Sequence, residues 1–271
     1  MSDFSRRKFL KTGAAALAGI TIAPSSILGM SHGHVSPTDK LNLAAVGIGG
    51  MGHANINNVK GTENIVALCD VDWKYAKGVF DEFPKAKKYW DYRKMYDEMG
   101  KSIDGVIIAT ADHTHAIITA DAMTMGKHVY CQKPLAYTIS EGLAMVKAVR
   151  NNKRVLQVGS QQRSSREFQA AIDMVQNGAI GHIEKIYARV GEPPTPLSLP
   201  EMPVPANLNF NQWMGPLNDP KIHYHPDLCP PISLDPEENE KLWGAWRWYQ
   251  ETGNGYTADW GAHMFDIAQA A

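Results

Sequence analysis

The sequence predicts an α/β protein in which a parallel, doubly wound sheet is followed by a second and less regular half. Two observations support this fold class. Short apolar segments alternate with helical stretches from residue 41 to residue 159, at a spacing that is typical of parallel sheets. The first of these apolar segments is also followed directly by a turn that is rich in glycine. We therefore assign residues 39–160 to the first domain and residues 161–271 to the second.

The composition is that of an ordinary soluble globular protein. Its 271 residues correspond to about two domains, and 44% hydrophobic with 20% charged residues excludes disordered, collagen-like and multi-span membrane proteins. The 27 basic and 28 acidic residues give a net charge of -1, so we expect no nucleic-acid partner. The 3 cysteines form no C-x-x-C pair, which predicts neither a disulfide framework nor a structural zinc site.

Residues 1–35 have the pattern of an export signal. Arg6 and Arg7 stand before a weakly hydrophobic stretch at residues 13–23, which is too short to span about 30 Å of hydrocarbon. The alternative is the basic first turn of an amphipathic helix. The signal predicts an exported, periplasmic protein that uses the twin-arginine export machinery, with either cleavage within residues 24–35 or a retained anchor.

A glycine-rich motif, Gly47-Ile48-Gly49-Gly50-Met51-Gly52, connects the first predicted strand, residues 41–46, to a helical stretch that begins at His53. A strand, a turn and a helix in this order are the context in which such a motif binds a dinucleotide. Its first glycine permits the tight turn, its second lets the backbone approach a pyrophosphate, and its third lets the helix pack on the strand. The amides at the start of the helix then face the phosphates.

The second predicted strand, residues 64–70, ends in Asp70, which lies 18 positions after Gly52. An acid at about this distance accepts hydrogen bonds from the ribose hydroxyls of NAD, and its charge repels the 2′-phosphate of NADP. We therefore predict NAD as the cofactor and NADP as less favoured, although Asp72 competes for the ribose and Lys74 can tolerate a phosphate. The alternative is a glycine-rich connection beside a solvated acid.

The strands and helices continue to alternate after Asp70. Strands are predicted at residues 88–90, 105–110, 128–131 and 155–159, and helices at residues 75–82, 92–99, 116–125 and 140–151. Ligands of a parallel sheet bind at the carboxyl ends of its strands. The predicted cofactor-binding residues lie at these ends and in the glycine motif: Gly47, Gly49, Gly50, Met51, Gly52, Asp70, Thr110, His113, His115, Lys133 and Gln161.

Two further segments, Cys131-Gln132-Lys133-Pro134 and Asp259-Trp260-Gly261-Ala262-His263, complete a recognisable set with the glycine motif and Asp70. Over residues 39–271 the chain resembles the Gfo/Idh/MocA oxidoreductases, the glucose-fructose oxidoreductase and inositol dehydrogenase family. The resemblance implies a Rossmann domain, a C-terminal domain with an open and mostly antiparallel sheet, and an active site between them. By similarity Lys133, Asp259 and His263 are active-site residues. Family members carry a glutamate where this chain has Gln132, so a charge beside Lys133 is lost.

The chemistry of alcohol oxidation requires a proton acceptor beside the reacting hydroxyl. A histidine titrates nearer neutral pH than a lysine, so we predict His263 as the acceptor. We assign Lys133 to orienting and polarising the hydroxyl and Asp259 to positioning the substrate. Asp259 and His263 share a face if one helix carries both. The alternatives are an exposed loop cation at Lys133 and an ordinary helix-face pair.

Histidine pairs raise the question of a metal site. His113 with His115 and His223 with His225 each offer two imidazoles, but no cysteine or carboxylate completes a ligand set at close spacing. We therefore expect no metal.

The predicted substrate-binding residues are Lys133, Arg163, Trp246, Asp259 and His263.

The second half has a weaker pattern. A helix is predicted at residues 168–176 and a strand at residues 183–190, and proline-rich loops follow at residues 192–205 and 216–236. Its aromatic residues suit the C–H faces of a sugar, or they anchor the loops to the sheet. They are Trp213, Tyr224, Trp243, Trp246, Trp248, Tyr249 and Tyr256.

The helix predicted at residues 262–271 has no terminal cap, and the family continues with further strands, so we expect the second domain to be truncated. Three functions are consistent with the sequence. The first is an exported NAD-dependent oxidoreductase of a sugar or polyol. The second is a redox-neutral glycosidase or lyase that oxidises the sugar transiently, and the third is a non-catalytic dinucleotide sensor. An exported enzyme meets little free dinucleotide, so we expect tightly retained NAD. We also expect a homo-oligomer.

Overall fold

The computed structural model describes residues 39–229 and 244–271. The predicted twin-arginine signal and Trp243 lie outside these residues. Residues 41–271 form one unit, and the predicted boundary at residue 160 stays a prediction. None of the described helices combines the length and the apolar character that crossing a membrane requires.

The central element is a 6-stranded sheet with the strand order β3-β2-β1-β4-β5-β6. Every neighbouring pair of strands is parallel. The predicted Rossmann fold is therefore confirmed. The strands are β1 Asn42–Val46, β2 Asn64–Cys69, β3 Lys87–Tyr89, β4 Gly105–Ile108, β5 His128–Gln132 and β6 Leu156–Gly159.

Helices connect the strands and continue into the second half. Short 3-10 turns lie at Gly100–Ser102, Gln161–Ser164 and Ala245–Arg247. The helices are α1 Met51–Val59, α2 Lys77–Glu82, α3 Tyr92–Met99, α4 Asp112–Thr124, α5 Ile139–Asn152, α6 Arg166–Gln176, α7 Phe210–Met214, α8 Gly255–Asp259 and α9 Gly261–Ala270.

Side-chain caps explain where two of the helices begin. Asp91 accepts a hydrogen bond from the Arg93 amide and so starts α3. Thr138 and Glu141 form a capping box at the start of α5, each bonding the other's backbone amide. These caps satisfy amides that the first helical turn leaves without a partner.

Both faces of the sheet are covered by apolar side chains, as a doubly wound fold requires. Because side chains alternate along a strand, Ala44 and Val46 pack on one face, with Met95, Met123 and Met145 from three helices. The opposite face includes Ala45, Ile48, Ile56, Leu68, Val79 and Ile107.

The strand register brings the predicted cofactor residues together. Val46 pairs with Cys69 on one side and with Ile108 on the other. Gly47 and Asp70, which follow these strands, therefore emerge at the same edge. The strand order reverses between β1 and β4, and ligands bind in the crevice at such a point.

The second half departs from the prediction. The strand predicted at residues 183–190 does not form, and residues 183–189 are exposed. Within residues 39–229 and 244–271 the central sheet is the only sheet, so the predicted antiparallel sheet is not found. A strand is stable only where a neighbouring strand takes up its amides and carbonyls, and no described strand pairs with these residues.

Candidate functional site

The glycine turn has no room for side chains at its first and last glycines. Gly47 has a φ of +74°, and a Cβ there would lie 2.8 Å from the Ala109 backbone. A Cβ on Gly52 would lie 1.9 Å from the Gly47 carbonyl oxygen. The turn therefore packs tightly against β4 and α1, as the motif predicts.

Asp70 is buried beside this turn. Its carboxylate accepts hydrogen bonds from the Ile48 amide at 2.9 Å and from the Asp72 amide at 2.9 Å. Burial raises the pKa of Asp70 to about 6, and the two amide donors oppose that rise. The amides hold the carboxylate in place, and each oxygen keeps a lone pair for a further donor such as a ribose hydroxyl.

The raised pKa of Asp70 makes cofactor affinity sensitive to acid. Only the ionised carboxylate accepts from both ribose hydroxyls, so we expect NAD affinity to be about tenfold lower at pH 5 than at pH 7. Affinity should be constant above about pH 7. Fluorescence titrations of NAD between pH 5 and 8 would measure this. Asp70→Asn should bind more weakly and without this dependence. The same slope in that variant would show that another group is responsible.

A cavity runs along the glycine turn and extends to the second half of the chain. Its lining includes predicted cofactor residues, namely Gly47, Gly49, Gly50, Met51, Asp70 and Thr110. From the second half it includes Trp213, Trp246 and Arg247. The tight glycine turn and the anchored Asp70 fit the pyrophosphate and ribose of NAD. The space over Gly49, where the pyrophosphate would approach, is not open in this structure, because the ring of Tyr75 fills it.

A buried ion pair lies at the carboxyl end of β5. The Lys133 ammonium donates to Asp259 Oδ1 at 2.9 Å and to the Asp259 carbonyl at 3.0 Å. Arg247 Nε lies 3.6 Å from the same Oδ1. The side chains of Lys133 and Asp259 are only 12% and 5% exposed, so water screens their interaction little. The structure thus brings together the lysine and the acid of the predicted catalytic set.

Two buried polar atoms of this cluster have no hydrogen-bond partner among the described residues: Asp259 Oδ2 and His263 Nδ1. A buried polar atom without a partner costs free energy, so such atoms often mark where a ligand binds. Burial, and then the charge of Lys133, lower the pKa of His263 to about 4. The imidazole is therefore neutral at neutral pH, and it is a weaker base than an ordinary histidine.

Asp259 and His263 lie on two consecutive helices, so the condition under which they were expected to share a helix face is not met in full. Asp259 ends α8, and His263 lies in the first turn of α9, which begins at Gly261. Trp260 separates the helices, but its helical dihedral angles keep the chain nearly continuous. Asp259 and His263 therefore still lie within one turn of each other.

Asp112 is a member of the cluster that the sequence reasoning did not single out. It is buried at the start of α4, and burial raises its pKa to about 8, with Arg247, Asp259 and Lys133 close enough to affect it. Its position a few residues after the end of β4, at the start of α4, was the available signal. Arg247 also belongs to the cluster, because its Nε lies 3.6 Å from Asp259 Oδ1 and its guanidinium lies 4.2 Å from the centre of the Trp246 ring.

The predicted roles of His113 and His115 in cofactor binding are corrected by the structure. Both side chains are fully buried within α4. The ring nitrogens of His113 lie 2.7 Å and 3.3 Å from the carbonyls of Trp213 and Thr252. Those of His115 lie 2.8 Å and 3.1 Å from the carbonyls of Pro134 and Thr110. The two rings hold backbone segments together and do not line the cavity.

Arg163 and Gln161 also lie away from the cavity. Arg163 forms a two-bond ion pair with Asp266, at 2.7 Å and 2.8 Å, which anchors α9 to the turn after β6. Gln161 is exposed in that same turn. Nε and Nη2 of Arg163 are thus already used within the protein, and Arg163 does not line the cavity, which corrects its predicted role in substrate binding.

Potential metal ligands do not converge in the part of the chain that the structure describes. Residues 39–229 and 244–271 contain no group of three or more histidine, cysteine or carboxylate side chains placed to hold an ion. His223 Nε2 lies 2.7 Å from the Leu199 carbonyl, so that imidazole holds a proline-rich loop.

Comparison with known proteins assigns the first half. Residues 41–160 match the sequence model of the Gfo/Idh/MocA family, described as an oxidoreductase family with an NAD-binding Rossmann fold. Inositol 2-dehydrogenase of Salmonella typhimurium is 30% identical over 155 residues, which are 55% of this chain and 45% of that protein. Glycosyl hydrolase family 109 protein 1 of Shewanella sp. strain MR-4 is 28% identical over 209 residues, 68% and 45% of the two chains.

A solved structure agrees with the sequence comparisons. Myo-inositol 2-dehydrogenase from Lactobacillus plantarum has a TM-score of 0.50 and 27% sequence identity, over 53% of this chain and 43% of that one. The chain thus spans about half the length of the relatives that it matches. The family match ends at residue 160, directly after the last strand of the sheet. The predicted NAD-binding domain is confirmed.

Proposed function

We propose that this chain, whose residues 41–160 are an NAD-binding domain of the Gfo/Idh/MocA oxidoreductase family, transfers a hydride between NAD and a CH–OH group of a sugar or polyol. One observation carries this proposal. The ion pair of Lys133 and Asp259 at the end of β5 adjoins two buried polar atoms, Asp259 Oδ2 and His263 Nδ1, for which residues 39–229 and 244–271 supply no hydrogen-bond partner. A ligand rich in hydroxyl groups would provide the missing hydrogen bonds.

The three side chains have distinct roles. The Lys133 ammonium has a third hydrogen to donate, which orients the reacting hydroxyl and stabilises developing negative charge on its oxygen. Neutral His263 accepts the hydroxyl proton. Asp259 holds Lys133 through Oδ1 and accepts from a neighbouring hydroxyl of the substrate through Oδ2.

The glycine turn and Asp70 would hold NAD through its pyrophosphate and its adenosine ribose. NAD, when bound, supplies the acceptor for the hydride. Trp213 and Trp246 line the same cavity as the glycine turn, and their apolar ring atoms would contact the C–H groups of a sugar.

We also propose where the protein acts and that it forms an oligomer. The Arg6-Arg7 pair and the apolar stretch that follows support export by the twin-arginine machinery. An exported enzyme would keep its NAD tightly bound and use it again. A homo-oligomer is also proposed.

The activity can be tested with the full chain, NAD and a panel of inositols, sugars and alditols. We expect NADH to form with at least one member of the panel, and His263→Ala to remove that signal without weakening NAD binding. An unchanged rate in the variant would disprove the role of His263. If no member of the panel changes the cofactor or is itself changed, the proposed activity is wrong.

A redox-neutral glycosidase is the second candidate. It is supported by the relative named as a glycosyl hydrolase, whose similarity extends over 209 residues and thus beyond the first domain. Such an enzyme would oxidise the sugar, eliminate the aglycone from the neighbouring glycosidic bond, add water to the double bond that forms, and then reduce the carbonyl again. Release of the aglycone without accumulation of NADH would favour this candidate, whereas NADH formed in proportion to product would favour the dehydrogenase.

A further inference from the structure

We infer that the ring of Tyr75 and the pyrophosphate of NAD compete for the space over Gly49, so that the ring must rotate away before the cofactor can bind. This inference rests on the NAD site of the proposed function. It makes Tyr75 the residue that sets how fast and how tightly the cofactor binds.

The first step of the argument is the position of the ring. A Cβ built on Gly49 would lie 1.7 Å from Tyr75 Cε1, 2.0 Å from Cζ and 2.2 Å from the hydroxyl oxygen. The ring therefore packs directly on the glycine backbone. The second glycine of this motif is the one whose missing side chain lets the backbone approach a pyrophosphate. The ring and the pyrophosphate thus need the same space.

The second step concerns what can move. The Tyr75 amide donates to Asp72 Oδ1 at 3.0 Å, and the Asn207 side chain donates to the same oxygen at 2.8 Å. The Trp73 amide donates to the Asn207 carbonyl at 3.1 Å. These bonds fix the main chain of the turn after β2 to the second half of the protein. Clearing Gly49 therefore requires rotation of the Tyr75 side chain and no opening of the loop.

The third step concerns what holds the ring in place. The Tyr75 hydroxyl is buried and has no hydrogen-bond partner among the described residues. Burial raises the pKa of this phenol above its ordinary value, so the hydroxyl stays protonated and its donor stays unused. Packing alone therefore holds the ring, and a rotation that exposes the hydroxyl to water or to a phosphate oxygen would satisfy it.

Association kinetics test the inference. In the full chain the observed rate of NAD binding, followed by tryptophan fluorescence in a stopped-flow instrument, should reach a plateau as NAD concentration rises, because ring rotation becomes limiting. Tyr75→Ala should remove the plateau and tighten the Kd about tenfold, since the binding-competent form is no longer a minor one. Tyr75→Phe should keep the plateau, because the ring remains.

Tyr187→Ala is the matched control, since it removes the ring of an exposed tyrosine, 74% accessible. It should bind NAD like the unmodified chain. A linear dependence of the rate on NAD in the unmodified chain would overturn the inference even if Tyr75→Ala failed to fold. Weaker binding by Tyr75→Ala would overturn it too, because Tyr75 would then be a ligand of NAD. Absence of NAD binding in every protein would disprove the cofactor site itself, and with it both proposals.

Discussion

Replacing Lys133 with methionine should lower kcat about a thousandfold and change the Kd for NAD less than about threefold. Methionine preserves much of the length of the side chain but cannot donate to the substrate oxygen, and removing one donor that stabilises developing negative charge typically costs 10²–10³-fold. Asp259 keeps Arg247 at 3.6 Å, so the loss of Lys133 does not leave its carboxylate without a cation. Steady-state rates and fluorescence titration would separate the two effects.

Lys94→Met is the matched control for this variant. Lys94 is 70% exposed and lies 3.8 Å from Glu98, a surface pair that contributes little to stability. We expect its kcat and its Kd for NAD to be unchanged. Retention of kcat by Lys133→Met would remove Lys133 from the catalytic set. A large loss of NAD affinity in that variant would instead make it a cofactor residue.

Replacing Gly52 with alanine should abolish NAD binding and destabilise the protein by about 3 kcal/mol or more. The added Cβ would lie 1.9 Å from the Gly47 carbonyl oxygen and 2.9 Å from its carbonyl carbon. Both obstacles are backbone atoms of the turn, so no side-chain rotation relieves the clash. Separation of α1 from β1 would relieve it, but would also displace the amides that face the pyrophosphate. Urea unfolding and NAD titration would measure the two losses.

Gly142→Ala is the corresponding control in α5. A Cβ there meets nothing within 4 Å, and alanine favours a helix over glycine by about 1 kcal/mol. We expect a small gain in stability and unchanged NAD binding. If Gly52→Ala were to bind NAD as the control does, the tight contact between α1 and the glycine turn would not be needed for the cofactor.

Much of the first domain could be predicted from short segments. The helix predicted at residues 92–99 is α3 with the same bounds, because Asp91 supplies a cap and the apolar residues that follow recur on one face. Glycine spacing and the acid at the end of β2 predicted the cofactor, since those residues act within one strand, turn and helix. The helix after β4 was predicted to begin four residues too late, because polar residues 112–115 mask its buried first turn.

The structure of the second half and the hydrogen-bond partners of several polar side chains could not be predicted from short segments. The apolar alternation at residues 183–190 is a strand pattern, but a strand also needs a neighbour that sequence spacing does not reveal. Arg163 was predicted to bind substrate because it follows β6, and only the folded chain shows that Asp266 already pairs with it. His113 and His115 likewise bond carbonyls from distant segments.

Local chemistry thus specifies the parallel sheet, the glycine turn and Asp70, because strand periodicity, glycine conformation and strand-end position act over a few residues. The assembly of the site depends on the folded chain. Lys133 and Asp259 are 126 positions apart and become an ion pair only when α8 packs at the end of β5. Tyr75 likewise packs on Gly49 only in the folded chain. The partners of a side chain are set by which segments lie close in space, and this cannot be read from their separation along the sequence.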